Sequence, residues 1–260
     1  MTKIFNRDIL RFHRDASAST IDKANFLFKD SFMDVLDRVS FLHKEYNRVL
    51  NLGSRTFDLS HANFKNLVSA DLSMKMLQKL TGMRVQIDEE FLPFQDNSFD
   101  LVMSVLNLHW VNDLLGTLIQ IRRSLKPGGL FVASFIGGRS LNEVKRVFVE
   151  IESKLGVNVN FHVPPMIATK SLTELMQKAK FKDVVVDENL MKVNYKDPMK
   201  ILKDLQDMGE SNCMGGGNIR YLRKDVLNAF SGEYRRLFGM KDSSVESSFE
   251  IITCVGYKPL

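Results

Sequence analysis

Short aliphatic and β-branched runs alternate, through the middle of the chain, with segments whose apolar residues recur every three or four positions. That alternation is the pattern of βαβ units around a mostly parallel sheet. Runs at Arg48–Leu52, Leu67–Ala70, Arg84–Ile87, Phe99–Val105 and Leu130–Ser134 read as strands. The clearest helix spans Asn112 to about Ser124. Leu114, Leu118, Ile121 and Leu125 share one face, Asn112 is placed to cap the first turn, and Lys126-Pro127-Gly128-Gly129 ends it.

Ser140 with Glu143, and Ser171 with Glu174, have capping-box spacing and predict two further helix starts. Pro198, tolerated in a first turn, opens a helix to about Met208 that Gly209 closes. Ser248–Tyr257 is strand-like with no helix after it, which predicts an antiparallel last strand. Ahead of the first strand, residues 19–43 carry Ile21, Phe26, Phe28, Phe32, Val35, Leu36 and Val39, enough for one or two amphipathic helices over the strand ends. The predicted organisation is an N-terminal helical cover over residues 1–45, then an α/β domain over 46–260 with a helical cap inserted at about 195–240.

Composition narrows the class without naming a partner. At 44% hydrophobic and 26% charged residues, the 260-residue chain can bury a core and is neither disordered nor fibrous. The net charge of +5 comes with no block of like charges, so a nucleic-acid arm is not expected. Cys213 and Cys254 are too few for a disulfide framework or a zinc cluster. A reducing, cytoplasmic setting is the expectation. The first twenty residues lack the apolar stretch of a secretory signal. No run approaches the roughly 18 apolar residues of a membrane span, which leaves peripheral attachment to a membrane open.

In an open α/β sheet, chemistry collects just beyond the carboxyl ends of the strands. The turn Asn51-Leu52-Gly53-Ser54-Arg55 follows the first strand and holds one glycine, suited either to a nucleotide approach or to an ordinary strand-to-helix turn. Asp71 lies where a carboxylate could take two ribose hydroxyls, or could cap the next helix. His109 could serve as a base or be a satisfied structural histidine, and Trp110 could stack on a substrate or fill a wall. Glu210, Ser211 and Asn212 form a polar loop before Gly215-Gly216-Gly217. Cys213 has no neighbouring His or Lys to activate it. His13 and Asp15 lack a second histidine for an iron site, and no metal is expected.

The run Asp88-Glu89-Glu90-Phe91-Leu92-Pro93-Phe94-Gln95-Asp96-Asn97-Ser98-Phe99-Asp100, with Leu125-Lys126-Pro127-Gly128-Gly129, resembles the class I S-adenosylmethionine-dependent methyltransferases. Ile4–Asp8, Asn107–Asp113 and Asp204–Cys213 resemble one branch of it more closely. That branch holds the methyltransferase-like assembly factor of respiratory complex I, implicated as an arginine hydroxylase. It is related to the malonyl-carrier O-methyltransferase of biotin synthesis.

The resemblance implies a Rossmann-like, seven-stranded, doubly wound sheet and S-adenosylmethionine as cofactor. It places Asn51, Gly53, Ser54, Asp71, Leu72, Asp88, Glu89 and Val105 around that cofactor, and Trp110, Glu210, Ser211 and Asn212 toward a substrate or partner. No catalytic residue is assigned beyond His109 as a candidate. Methyl transfer to a small molecule or protein is the implied activity; the alternatives are an assembly factor that modifies or binds a complex I subunit, and a carrier methyltransferase. The acidic-x-Gly-x-Gly-x-Gly motif of the superfamily reads Asn51, Gly53, Arg55 and Phe57 here. Two glycines and the acid are lost, which predicts weakened cofactor binding.

Overall fold

The computed structural model describes residues 3–42, 44–55, 59, 64–215 and 222–260. Their strands form one seven-stranded sheet in the order β3-β2-β1-β4-β5-β7-β6. The strands are β1 (Arg48–Leu52), β2 (Asn66–Asp71), β3 (Met83–Gln86), β4 (Phe99–Val105), β5 (Leu125–Ile136), β6 (Lys182–Tyr195) and β7 (Val245–Tyr257). β1 to β5 pair parallel, and β7 runs antiparallel to both β5 and β6. β7 is buried over nearly its whole length because strands flank it on both sides. β6 is an edge strand and mostly exposed, so no apolar run announced it.

Alternate residues of each strand face opposite sides of the sheet. Val49, Leu101, Met103 and Val132 pack under α2 (Phe26–Phe41), α5 (Asn142–Lys154) and α8 (Lys224–Phe238), against Phe28, Val35, Phe148 and Phe230. Leu50, Val102, Phe131 and Phe135 pack under α4 (Leu114–Ser124) and α6 (Thr169–Lys178), against Leu118, Ile121, Leu172 and Met176. α3 (Met74–Leu77) follows β2, and α7 (Met199–Met208) lies between β6 and β7 with α8. Among the described residues no helix is long and apolar enough to cross a membrane.

Four local expectations are corrected. Asp113, not Asn112, caps α4 by accepting from the Gly116 N–H at 2.8 Å. Lys126-Pro127-Gly128-Gly129 belongs to β5, where Gly128 donates to the Lys258 carbonyl and Gly129 accepts from Lys258. Ser140 and Glu143 form no capping box: Ser140 exchanges hydrogen bonds with Glu250, and the Glu143 carboxylate accepts from Ser248. α6 starts at Thr169, which puts Ser171 inside its first turn. In the first three cases a tertiary partner outcompetes the local one.

The largest addition is α1 (Arg7–Ser17), in a stretch too polar to read as a core element. Asn6 caps it, accepting from the N–H groups of Asp8 and Ile9. A third apolar cluster, Phe5, Ile9, Leu10, Leu72, Trp110 and Cys213, seats it across the carboxyl ends of the strands. The Asn112 side chain accepts from the N–H groups of Ile4 and Phe5 at 2.7 and 2.9 Å and ties down the approach to the helix.

Leu10 is fully buried while Arg11 points to solvent, so Leu10→Ala is expected to cost about 2–5 kcal/mol in urea unfolding and Arg11→Ala no more than about 0.5. Equal costs would mean that α1 is not seated as described.

Candidate functional site

β1 neighbours both β2 and β4, so the order of the sheet reverses there and a crevice forms beyond the carboxyl ends of β1 and β4. Gly53 leaves β1 at φ +81°, a conformation that favours glycine, and its N–H donates to the Ala70 carbonyl at 2.7 Å. The Asn107 side chain lies against its α-carbon: a Cβ at Gly53 would stand 2.1 Å from the Asn107 Cγ. Asn107 follows Leu106, whose φ of +44° turns the chain sharply out of β4.

Arg7, Leu10 and Arg14 are spaced at three and four residues and share one face of α1. That face meets the crevice. The Arg14 guanidinium is fully buried and donates to Asp71 at 3.2 Å, to Glu89 at 2.7 Å and to the Asn107 Oδ1 at 2.5 Å. Arg7 pairs with Asp88 at 2.8 Å and with the other oxygen of Glu89. A second buried cluster adjoins the first. Arg55 lies 4.5 Å over the Phe28 ring and donates to Glu210 at 2.5 Å and to the Leu106 carbonyl. The second oxygen of Glu210 accepts from the Trp110 Nε1 at 2.7 Å and faces the His109 Nε2 at 3.0 Å.

Burial and pairing pull these carboxyls apart. Burial alone would raise Glu89, but the guanidiniums of Arg14 and Arg7 outweigh it and hold Glu89 at about 2. Burial raises Asp71, with Arg14 offsetting only part of it. Burial likewise opposes ionisation of Glu210, yet Arg55 and then His109 bring it well below the usual carboxylate range. Burial pushes His109 down despite its bond to Glu210, and pushes the Cys213 thiol up to about 12. Arg14 Nε, Arg55 Nε, Asn107 Nδ2 and His109 Nδ1 are buried with no hydrogen-bond partner among the described residues.

The structure brings Gly53, Asp71, Asp88, Glu89, His109, Trp110 and Glu210 into this one region. Asn51 is buried in β1, and its carbonyl accepts from the Ser54 hydroxyl. Leu72 and Val105 are core residues. Asn212 donates to the Phe161 carbonyl and, with Ser211, borders a cavity. Phe57, Gly216 and Gly217 lie outside the described residues. Cys213 and Cys254 are both free and buried. Sequence reasoning missed Arg7, Arg14 and Asn107; the i, i+7 repeat of arginines was the available signal.

Beyond Glu210 opens a cavity of about 1270 Å³, lined mainly by apolar side chains, with Phe12, His13, Trp110, Phe161, Lys203 and Glu210 among its walls. Gly53, Asp71, Asp88 and Glu89 do not line it. Another wall carries Glu152, whose carboxylate lies 2.8 Å from the His162 Nε2, with that ring against Phe148 at 4.2 Å.

The S-adenosylmethionine implied by the sequence resemblance does not fit this arrangement. The carboxylates assigned to adenosine are paired with Arg14 and Arg7, Asn107 fills the Gly53 turn, and the Arg55 side chain crosses to Glu210.

A family model described as a methyltransferase domain matches residues 50–133. The chain is 33% identical over 269 residues to the arginine-hydroxylase NDUFAF5, mitochondrial, of Danio rerio, across 98% of this chain and 83% of that protein. It is 25% identical to a malonyl-[acyl-carrier protein] O-methyltransferase of Gallionella capsiferriformans, across 98% and 92%. Among solved structures, phosphoethanolamine N-methyltransferase 2 of Haemonchus contortus, in complex with phosphomonomethylethanolamine and S-adenosylhomocysteine, superposes with a TM-score of 0.57 at 18% identity, across 96% of this chain and 61% of that one. The fold is that of S-adenosylmethionine-dependent methyltransferases.

Removing one member of a buried ion pair strands the others, so Arg14→Ala should cost about 3–5 kcal/mol in urea unfolding; a cost near zero would refute the network. Glu89 is depressed in the folded chain from an ordinary value of 4.5 to about 2, so its contribution is present in full above pH 4.5 and is lost as the pH falls toward 2. Stability measured across that window should fall less steeply in Glu89→Gln than in the wild type, and equal slopes would contradict the assignment.

Proposed function

We propose that this chain, which belongs to the family of the arginine-hydroxylase NDUFAF5, takes an arginine side chain of a protein partner into the cavity beside Glu210, as an assembly factor for respiratory complex I. The observation that supports this reading is a carboxylate at the edge of a large apolar cavity. Glu210 accepts from Arg55 and Trp110 and lies 3.0 Å from the His109 Nε2, where a carboxylate offers about four acceptor sites. An arginine has an aliphatic stem that suits apolar walls and a planar guanidinium that pairs with a carboxylate and stacks on aromatic faces. Phe12 and Phe161 supply such faces on the cavity wall.

His109 in this reading is a positioning residue: its buried ring fixes Glu210 and is not itself the base. Ser211 and Asn212 sit at the border of the cavity, where they would meet the chain that presents the arginine. The cap at about 195–240 carries Glu210 and the cavity walls from α7, and selects the partner. The compartment proposed is the one where complex I is assembled, with the chain peripheral to the inner membrane. Methyl transfer at the crevice has less support, because the groups that would hold a methyl donor are engaged with arginines of the chain itself.

Tagged full-length chain, incubated with detergent-solubilised respiratory membranes, should retain a complex I subunit. N-acetyl-arginine amide should displace that subunit, and the neutral N-acetyl-citrulline amide should not. Glu210→Gln should reduce capture at least fivefold. Capture of an acyl carrier in place of a respiratory subunit, or equal displacement by both amides, would overturn the reading.

A further inference from the structure

We infer that α1 is an internal competitor for the adenosyl cofactor of this fold, so that the chain is held in a cofactor-excluding state from which the ligand must displace the helix. Three independent features lead there. The first is position: α1 lies across the carboxyl ends of the strands, where an open α/β sheet receives its ligand, and Leu10 at its centre packs in one cluster with Leu72 and Trp110. The second is chemistry. Arg14 contacts Asp71 and Glu89, and Arg7 contacts Asp88 and Glu89, so two guanidiniums take up the three carboxylates at the ends of β2 and β3. Asn107 joins this closure by bonding Arg14 through Oδ1 while its side chain lies against Gly53.

The third feature is that the closure is incomplete. Arg14 Nε and Asn107 Nδ2 are buried in the crevice with no partner among the described residues, although buried polar groups in native proteins are nearly always satisfied. A buried polar network with unmet donors is poorly suited to being a permanent core, and it sits where a ligand could meet them. The attachments ahead of α1 are few: Asn112 to Ile4 and Phe5, the Asn6 N–H to the Cys213 carbonyl at 2.9 Å, an antiparallel bridge between Phe5 and Met214, and the Phe5 ring against Trp110 at 5.3 Å. They can be weakened without touching Asp71, Asp88 or Glu89.

If helix and cofactor exclude one another, the apparent affinity for the cofactor is its intrinsic affinity scaled by the fraction of chains with α1 withdrawn. Any change that raises this fraction tenfold tightens binding tenfold. The probe is S-adenosylhomocysteine, titrated by calorimetry into full-length wild type and into two variants whose folding is checked by circular dichroism. Arg14→Gln removes the competing cation. Asn112→Ala removes the tether and one hydrogen bond to Glu90 but leaves Asp71, Asp88 and Glu89 paired, so it remains informative if Arg14→Gln does not fold.

Both folded variants are expected to bind at least tenfold more tightly than the wild type. Saturating ligand should also raise hydrogen exchange at the backbone amides of Leu10–Ser17 in whichever protein binds it. Tight binding to the wild type with those amides still protected would overturn the inference. So would folded variants that bind no better than the wild type, including the case in which none of the three binds. These readouts do not involve the arginine amides or partner capture, so this inference and the proposed function can fail separately.

Discussion

A guanidinium with no access to water is tolerated in a protein only when carboxylates surround it, and Arg14 satisfies that condition between Asp71 and Glu89. The rest of the arrangement follows from that pairing. Together with the apolar cluster around Leu10, it holds α1 over the strand ends. It draws Asn107 over the Gly53 turn through the same guanidinium. Arg14 lowers both carboxyls against burial, and with Arg7 added on Glu89 alone, Glu89 is left strongly acidic while Asp71 stays raised by burial.

Closing one half of the crevice defines what remains of it. Arg55, at a position where the superfamily motif has glycine, reaches across to Glu210 and the Leu106 carbonyl and stacks on Phe28. Glu210 is thereby fixed, with His109 and Trp110 on its other oxygen, at the edge of the apolar cavity. At Arg55 and under α1 alike, space beside the Gly53 turn is filled by side chains of the chain itself. The cavity on the far side of Glu210, walled by α1, α5, α7 and the segment around His162, is the open volume next to this chemistry.

The periodic segments were legible because their neighbours in sequence are also their neighbours in the fold. β1, β4 and α4 could be placed from alternation and three-to-four spacing, and the antiparallel last strand from the absence of a helix behind it. Glu143 and Ser140 show where such reasoning stops: their spacing promised a local cap, and both found partners on β7, more than a hundred residues away. Asn112 likewise gave up the cap of α4 to Asp113 and went to the N-terminal strand of chain before α1. β6 escaped notice because an edge strand with solvent on it needs no apolar run.

By itself the sequence determined the α/β class, the strands that carry Gly53, Asp71 and Asp88, the family, and the fact that Arg55 stands where clearance was expected. Those properties reside in short windows, where periodicity and motif spacing are visible. Only the tertiary structure decided that Arg7 and Arg14, in a stretch that reads as polar and exposed, close over Asp71, Asp88 and Glu89, some 60 to 80 residues further along the chain. A charged side chain does not disclose in its own window whether it will face water or a buried counter-charge; that is settled by which carboxylates the folded sheet gathers at its edge.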